Sequence, residues 1–271
     1  MILRFRALVV VCVLLAGTTL AQTTNETVKE LWFPVGEELV YRISWGVIPV
    51  GYSHVTSKYI EEGGRKLIAI RFRTITNRFL SKLYPVDDYL ESIIDPETFL
   101  PIRFTKKLSE GTYRAHQITT FDFQNLTAHW TNALSSGDRF FPIEKDTRDL
   151  ITYMFYMRRT QFETNTVYKF KVMADEKIYD LVVQSMKVED VDLDDYGDVP
   201  SLKFYPEAAF GGLFVRKGKM WMWVSQDSRH IATKVSVSVP VASVSLTLAQ
   251  VRGPGDDLWI RKAPKDLDIG F

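Results

Sequence analysis

The sequence predicts a mainly β protein in which one strongly curved antiparallel sheet, or an open half-barrel, wraps around a single central α-helix. About a dozen segments alternate apolar and polar residues, which is typical of strands with one buried face. Only residues 147–159 carry the spacing of a long helix. The apolar residues of this helix cover an arc of roughly 200°, about twice the width that a surface helix needs. Such a helix requires cover on more than one side, which a curved sheet provides.

The helix is predicted from the residues at its two ends and from the apolar residues between them. Asp146 or Thr147 can cap its start, and Asp149 places a carboxylate in the first turn, where the helix dipole favours negative charge. Arg158 and Arg159 fall in the last turn, which favours cations. Arg158 lies within the apolar arc, and we expect its long side chain to reach outward to solvent. The apolar arc contains Leu150, Ile151, Tyr153, Met154, Phe155 and Met157, and the remaining sector contains Arg148, Asp149, Thr152, Tyr156 and Arg159.

Strands are predicted on both sides of the helix. The first strand shows the alternation most clearly, with Leu39, Tyr41, Ile43 and Trp45 on one face and Val40, Arg42 and Ser44 on the other. Short turns separate the strands, such as 61–65 with two glycines and 95–98 with a proline in a position that suits it. The predicted strands are 38–45, 52–60, 66–77, 87–94, 100–108, 112–123, 126–132, 167–174, 177–189, 201–205, 219–225, 231–239 and 241–251.

The N-terminus has the layout of a secretory signal peptide over residues 1–21. Arg4 and Arg6 precede an apolar run from Ala7 to Ala16, and small residues precede a cleavage point before Gln22. The apolar run is too short for a stable membrane span, although an uncleaved N-terminal anchor is the alternative. We therefore expect a periplasmic or secreted protein, with a flexible segment at 22–30, one domain at 31–251 and a mobile tail at 252–271.

Composition and spacing exclude several functional classes. The chain has 34 basic and 33 acidic residues and a net charge of +1, which gives no electrostatic case for a nucleic-acid partner. Cys12 is the only cysteine and lies in the signal peptide, so the mature chain has no thiol chemistry or disulfide. The four histidines lack metal-binding spacing, and no cofactor fingerprint is present. Asp87 and Asp88 point to opposite faces of a strand, and the acidic run 189–195 lacks the glycine and distal glutamate of a calcium loop. We predict no catalytic residue, metal or cofactor.

Several short motifs resemble one family when their order and spacing are taken together. They are Phe33-x-Val35-Gly36-Glu37-x-Leu39-x-Tyr41 with Trp45, Gly46 and Gly51, then Ser92, Asp95 and Pro101, then Phe121-Asp122-Phe123, and finally Trp223, Ser225, Asp227 and Arg229. Over residues 31–251 the chain resembles the exported bacterial proteins of domain of unknown function 3108. It departs from that family at Ala232, where a proline is usual. The resemblance implies an all-β exported protein of unassigned role, with an architecture similar to the lipoprotein-carrier fold of the bacterial envelope.

The strongest candidates for a ligand site are methionine and aromatic residues. Met220, Trp221, Met222 and Trp223 alternate along one strand, so two tryptophans share one face and two methionines the other. With Tyr153, Met154 and Met157 of the helix, they either line an adaptable apolar pocket or fill the core. Leu213 and Phe214, in the glycine-rich and basic segment 211–219, are either part of a mobile hairpin or the tip of a lid over a cavity.

Three functions remain open at this stage. The first is non-enzymatic binding of a lipid or another hydrophobic or amphiphilic ligand between the sheet and the helix. The second is a structural or adaptor protein of the cell envelope with a filled core, which binds a partner along a strand edge. The third is a hydrolase or lyase acting on envelope polysaccharide, which needs two carboxylates that converge in a groove.

Overall fold

A computed structural model describes residues 30–174, 177–207, 219–238 and 243–254. These residues form fourteen strands: β1 Glu38–Trp45, β2 Ile48–Glu62, β3 Arg65–Thr76, β4 Asp87–Ile94, β5 Pro101–Glu110, β6 Tyr113–Asp122, β7 Thr127–Asn132, β8 Asp138–Pro142, β9 Val167–Ala174, β10 Lys177–Leu193, β11 Gly197–Glu207, β12 Lys219–Ser225, β13 Ala232–Ser238 and β14 Ser243–Arg252. They also form one α-helix, α1 at Leu150–Met157, and a 3-10 helix at Leu80–Lys82. The prediction of a mainly β protein with one large antiparallel sheet and a single α-helix is confirmed. The predicted signal peptide lies outside the described residues, as does nearly all of the predicted tail.

The fourteen strands lie in one sheet, in which neighbouring strands are antiparallel. The order is β8-β7-β6-β5-β4-β3-β2-β1-β14-β13-β12-β11-β10-β9. The pairing of β1 with β14, in the middle of the sheet, joins the first of these strands in the sequence to the last, with Glu38 opposite Arg252 and Trp45 opposite Val244. The edge strands are therefore β8 and β9, which are consecutive strands of the chain. Because α1 lies between β8 and β9 in the sequence, the helix belongs to the segment that connects the two edges.

Helix α1 is shorter than the predicted helix at 147–159, and its cap explains where it begins. Asp149 has an extended backbone, and its Oδ1 accepts hydrogen bonds from the backbone N–H groups of Ile151 at 2.9 Å and Thr152 at 3.0 Å. This is the geometry of an N-cap residue, which lies just outside the first turn. Thr147 instead accepts a hydrogen bond from the Glu144 N–H at 2.8 Å. The expectation that Asp146 or Thr147 caps the helix was wrong.

The apolar residues of α1 contact two clusters of buried side chains. Ile151 and Phe155 belong to the first cluster, which also contains residues of β1, β2, β3, β4, β10, β11, β12 and β14. Leu150 and Tyr153 pack against a second cluster, which contains residues of β9, β10, β11 and β12. Burial of each large apolar side chain contributes about 1.5–3 kcal/mol to the free energy of folding. The wide apolar arc of the sequence is thus used on two sides of a helix of only eight residues.

Arg158 lies in the protein interior, although the sequence led us to expect that its side chain would reach solvent. The side chain is 7% exposed and its Nη1 lies 2.7 Å from Oε1 of Glu37, which is 1% exposed. The expectation was wrong because Glu37, distant in the sequence, supplies a buried partner for the guanidinium group. None of the helices in the described part of the chain is long and apolar enough to cross a membrane.

Candidate ligand-binding cleft

A cleft lies where the segment containing α1 meets the edge strand β9. Its volume is about 430 Å³, within the range of small-molecule sites. Nine residues line it: Asp146, Arg148, Tyr153, Tyr156, Met157, Lys169, Phe170, Lys171 and Asp180. The first five belong to the helical segment, and the others belong to β9 and β10. The cleft therefore combines aromatic, cationic and acidic side chains at one edge of the sheet.

A short parallel contact holds the start of α1 against β9. Asp149 and Met173 form a β-bridge, and the N–H of Met173 donates to the Arg148 carbonyl at 2.9 Å. Asp149 is itself fixed, because its Oδ2 accepts hydrogen bonds from Ser92 Oγ and Thr152 Oγ1, both at 2.7 Å. Burial raises the pKa of Asp149, and the hydrogen bonds from its neighbours oppose that shift. Arg148 precedes this anchored residue, so the backbone that carries it into the cleft is well fixed.

One wall of the cleft is apolar. The rings of Tyr153 and Phe170 meet edge to face with their centroids 5.4 Å apart, and both rings pack against the second core cluster. Met157, one helical turn after Tyr153, continues the same wall. Burial strongly raises the pKa of Tyr153, so its hydroxyl stays neutral across the physiological pH range. This wall offers apolar contact without a formal charge.

Arg148 is a buried cation in the cleft with one donor that lacks a hydrogen-bond partner. The residue is only 9% exposed, and its guanidinium carbon lies 3.6 Å from the ring centre of Tyr156. Its Nη1 donates to the Asp146 carbonyl at 2.8 Å, but its Nε has no hydrogen-bond partner among the described residues. Burial lowers the pKa of Arg148, and the nearby Tyr156 and Asp146 partly offset this shift. A buried guanidinium with an unpaired Nε–H group is suited to bind an anion.

The other charges of the cleft lie near its rim. Lys169 and Lys171 are both exposed. Because they are two residues apart on β9, their side chains lie on the same face of the strand. The Nζ of Lys171 lies 2.6 Å from Oε1 of Glu144, an exposed pair that contributes little to stability. Asp146 and Asp180 are the two carboxylates that line the cleft. Three cations and two acidic groups line the cleft, and Glu144 beside Lys171 adds a third carboxylate, so the charges of this region balance.

The structure distributes the predicted ligand-binding residues over different environments. Tyr153 and Met157 line the cleft, whereas Met154 does not. Trp223 is buried in the first core cluster and donates its indole N–H to Glu189 at 2.9 Å, while Trp221 packs against the same cluster. Met222 packs against the second cluster, and Met220 is partly exposed on β12. Leu213 and Phe214 lie outside the described residues.

Sequence reasoning missed Asp146, Arg148, Lys169, Phe170, Lys171 and Asp180. The alternation of aromatic and basic residues in Tyr168-Lys169-Phe170-Lys171 could have indicated a site, because it gives a strand with one aromatic and one cationic face. No comparable signal pointed to Arg148, which the helical pattern placed in the polar sector.

The acidic residues considered above as catalytic or calcium-binding groups interact with other side chains or with the backbone. Asp87 pairs with Arg73, whereas the carboxylate of Asp88 accepts a hydrogen bond from the Ser109 N–H at 2.9 Å. In the run 189–195, Glu189 contacts Lys203 and Trp223. Within the described ranges, no three histidine or acidic side chains converge as metal ligands.

One large open antiparallel sheet with a single α-helix among the described residues places the protein in the mainly β class. A comparison with protein families matches residues 40–249 to the family described as "Protein of unknown function (DUF3108)". Because the match covers most of the chain, the chain belongs to this family, and the resemblance seen in the sequence is confirmed.

A solved structure shares the architecture. The chain is similar to a beta-barrel-like protein of domain of unknown function DUF1849 from Brucella abortus, with a TM-score of 0.53 and 10% sequence identity. The alignment covers 80% of this chain and 97% of that protein. At this identity the likeness shows the fold alone. No curated protein matches the chain.

Proposed function

We propose that this chain is an exported, non-enzymatic protein of the cell envelope that binds an amphiphilic ligand between its curved sheet and its helix. The observation that carries the proposal is the composition of the cleft. Tyr153, Met157 and Phe170 offer an apolar wall, and the buried Arg148 places a guanidinium with one unpaired donor, Nε, beside it. An amphiphile with an anionic head matches both features.

The energetics favour such a ligand over a purely apolar one. The apolar part gains roughly 25 cal/mol for each Å² of surface removed from water. The head group gains charge-assisted hydrogen bonds from Arg148, which has already lost most of its own hydration because it is 9% exposed. Lys169 at the rim attracts the same head group from solution, whereas Lys171 is already paired with Glu144.

Calorimetric titration with dodecyl phosphate tests the proposal. The chain from Gln22 onward, which keeps every described residue, is expected to bind one molecule saturably and to bind neutral dodecanol more weakly. Arg148→Met should weaken binding of the phosphate by about tenfold or more, because a hydrogen bond to a charged group contributes about 1.5–3 kcal/mol. The matched control is Arg103→Met, which removes a surface pair with Glu62; neither residue lines the cleft, so the affinity should change little.

Two results would contradict the proposal. One is the absence of saturable binding by the unmodified protein. The other is equal binding by the unmodified protein, Arg148→Met and a second variant, Met157→Asp, which places a charge in the apolar wall. Export is tested separately by mass spectrometry of the protein recovered from cells, which should begin at Gln22. An intact N-terminus on the recovered protein would instead support the uncleaved anchor.

The adaptor function is a second candidate, favoured by the edge strand β8. This strand has only five residues, pairs on one side with β7, and exposes 72% of Phe140. A partner strand could add to its free side by main-chain hydrogen bonds. Cross-linking from position 140 in cells, with position 134 as the exposed control, would distinguish a strand-adding partner from a small ligand.

A further inference from the structure

One end of the sheet carries a concentrated set of exposed apolar side chains, which we call the apolar end. It comprises Trp45 (48% exposed), Val47 (94%), Ile48 (58%), Phe79 (74%), Leu83 (75%) and Tyr84 (51%). These six make up half of the twelve large hydrophobic residues that are exposed within the described part of the chain. They come from only two places: the end of the β1–β2 hairpin, which includes the last residue of β1 and the first residue of β2, and the segment between β3 and β4. Single exposed apolar residues are ordinary, but a concentration of this kind marks an interaction surface.

Asn77 joins the β3–β4 segment to the start of β2, next to the β1–β2 turn. Its backbone N–H donates to the Val50 carbonyl at 2.8 Å, and its side-chain amide donates to the Pro49 carbonyl at 2.7 Å. Its side-chain oxygen also accepts from the Leu80 N–H at 2.8 Å, which fixes the start of the 3-10 helix. The close approach continues at Gly51, where a Cβ atom would lie 2.2 Å from the Ile75 carbonyl oxygen. The exposed residues thus form one surface on a fixed backbone.

Further packing keeps the β3–β4 connection in place. The ring of Tyr84 lies against Gly111, where a Cβ atom would come within 2.8 Å of the ring. The Gly111 N–H also donates to the Pro85 carbonyl at 2.8 Å. Because hydrogen bonds hold this backbone, Phe79 and Leu83 do not bury themselves by a simple turn of the loop. Their exposure belongs to the fold.

The apolar end itself carries charges of one sign, and the nearest acidic groups, Asp87, Asp88 and Glu110, lie just outside it. Arg78 and Lys82 are exposed within the β3–β4 connection, and residues 45–50 and 77–86 contain no acidic residue. The acidic residues that follow are engaged elsewhere, since Asp87 pairs with Arg73 and Asp88 accepts from the Ser109 N–H. A surface that combines exposed apolar tips with cations complements a bilayer with anionic head groups.

We propose that the apolar end docks the protein on the surface of an anionic lipid bilayer, with its apolar side chains inserted at the level of the head groups. The near-complete exposure of Val47 at the turn indicates a projecting tip rather than a groove, and a projecting tip suits insertion. Trp45 and Tyr84 are residue types enriched at membrane interfaces. The proposal is independent of the cleft, whose lining residues lie on the α1 segment, β9 and β10.

Flotation with lipid vesicles tests the proposal. The chain from Gln22 onward avoids the apolar N-terminal run and retains all described residues. It is expected to float with vesicles of phosphatidylglycerol and phosphatidylcholine in equal parts, more weakly with phosphatidylcholine alone, and less at high salt. The triple variant Val47→Ser, Phe79→Ser and Leu83→Ser should lower binding to the mixed vesicles by about tenfold or more, because it removes the apolar area that inserts.

A matched control distinguishes binding through the apolar end from nonspecific adsorption through other exposed apolar residues. Leu134→Ser, Phe140→Ser and Val167→Ser together remove three side chains of comparable exposure (59%, 72% and 57%) and should leave flotation unchanged. The pair Arg78→Gln and Lys82→Gln should reduce binding to the mixed vesicles without changing binding to phosphatidylcholine. All substituted positions are exposed, so thermal unfolding of the variants should match that of the unmodified chain.

Three results would overturn the proposal: no flotation of the unmodified protein, equal flotation of the two triple variants, or loss of self-association in the first variant without any effect on vesicles. The last result would assign the apolar end to contacts between copies of the chain. None of these results bears on ligand binding in the cleft, and loss of dodecyl phosphate binding would leave the flotation result standing.

Discussion

Arg158 and Glu37 form a two-point ion pair in the protein interior, with Nη1–Oε1 and Nη2–Oε2 distances of 2.7 and 3.0 Å. The Nε of Arg158 also donates to the Arg229 carbonyl at 2.9 Å, and the Arg158 carbonyl lies 2.6 Å from Nδ1 of His230. One side chain thereby joins the end of α1 to the segment before β1 and to the turn between β12 and β13. These three segments lie far apart in the sequence, so the pair fixes how they meet.

We expect Glu37→Gln to lower the free energy of unfolding by about 3–5 kcal/mol, because it leaves the Arg158 charge buried without its counter-ion. Denaturation in urea measures this loss. The control is Glu62→Gln, whose partner Arg103 is 31% exposed, and which should cost at most about 1 kcal/mol. Equal losses in the two variants would show that the buried pair has no special role. Adding Arg158→Met to a Glu37→Leu background should recover much of the stability.

Replacement of Asp149 by asparagine should change the free energy of unfolding little, whereas replacement by alanine should lower it. The residue is fully buried, caps α1 through Oδ1 and accepts hydroxyl hydrogen bonds from Ser92 and Thr152 through Oδ2. Asparagine keeps the capping oxygen, and its amide can donate to hydroxyl groups that are free to rotate. We expect a change within about 1 kcal/mol for Asp149→Asn and a loss of about 2 kcal/mol or more for Asp149→Ala. A large loss for both variants would instead indicate that the negative charge itself is required.

Asp88 should make the stability of the fold depend on pH. Burial, with a smaller contribution from the nearby Glu110, raises the pKa of Asp88 to about 6. In an unfolded chain an aspartate has a pKa of about 3.9, so between these values the folded state binds more protons than the unfolded state. The contribution of Asp88 to stability is therefore complete below about pH 4 and is lost as the pH rises through about 6.

Two measurements check this behaviour. The carboxyl carbon resonance of Asp88 should titrate with a midpoint near 6, and Glu110→Gln should lower that midpoint. Asp88→Asn should flatten the fall in stability between about pH 4 and pH 7, since it removes the titrating group. A midpoint in the ordinary range of aspartate would contradict the prediction.

The strands could be predicted from sequence because their signal is local. Alternation placed one strand at 87–94, the bounds that the structure gives to β4, and the turn residues marked the hairpins between neighbours. The pairing of β1 with β14 lay beyond such reasoning, because nothing within Glu38–Trp45 specifies a partner two hundred residues away. The Arg158–Glu37 pair could not be predicted for the same reason: the helical pattern identifies Arg158 but contains no information about Glu37.

The cleft likewise contains some residues that local sequence patterns predict and others that only tertiary contacts bring there. The helical pattern selected Tyr153 and Met157, which line it, because the apolar arc of α1 is a local property. Arg148 became a lining residue only through the bridge between Asp149 and Met173, which sets the helix against an edge strand. That contact is tertiary, and periodicity cannot reveal it.

Trp223 provides a last prediction, which concerns a residue that the sequence marked as a ligand contact. Its indole N–H donates to Glu189 at 2.9 Å, and this hydrogen bond is the largest cause that lowers the pKa of Glu189, with help from Lys203. Trp223→Phe keeps an aromatic ring in the core but removes the donor, so we expect the pKa of Glu189 to rise. Because a lowered carboxylate pKa stabilises the fold above the unfolded value and loses that effect as the pH falls, the variant should be less stable near neutral pH and should lose less stability on acidification. Carboxyl titration by NMR and acid denaturation check both effects, with Lys187→Gln as the control, because the Lys187 Nζ lies 3.7 Å from Glu189 and is 77% exposed. If Trp223→Phe instead weakened dodecyl phosphate binding while leaving the Glu189 titration unchanged, Trp223 would be a ligand contact rather than a partner of Glu189.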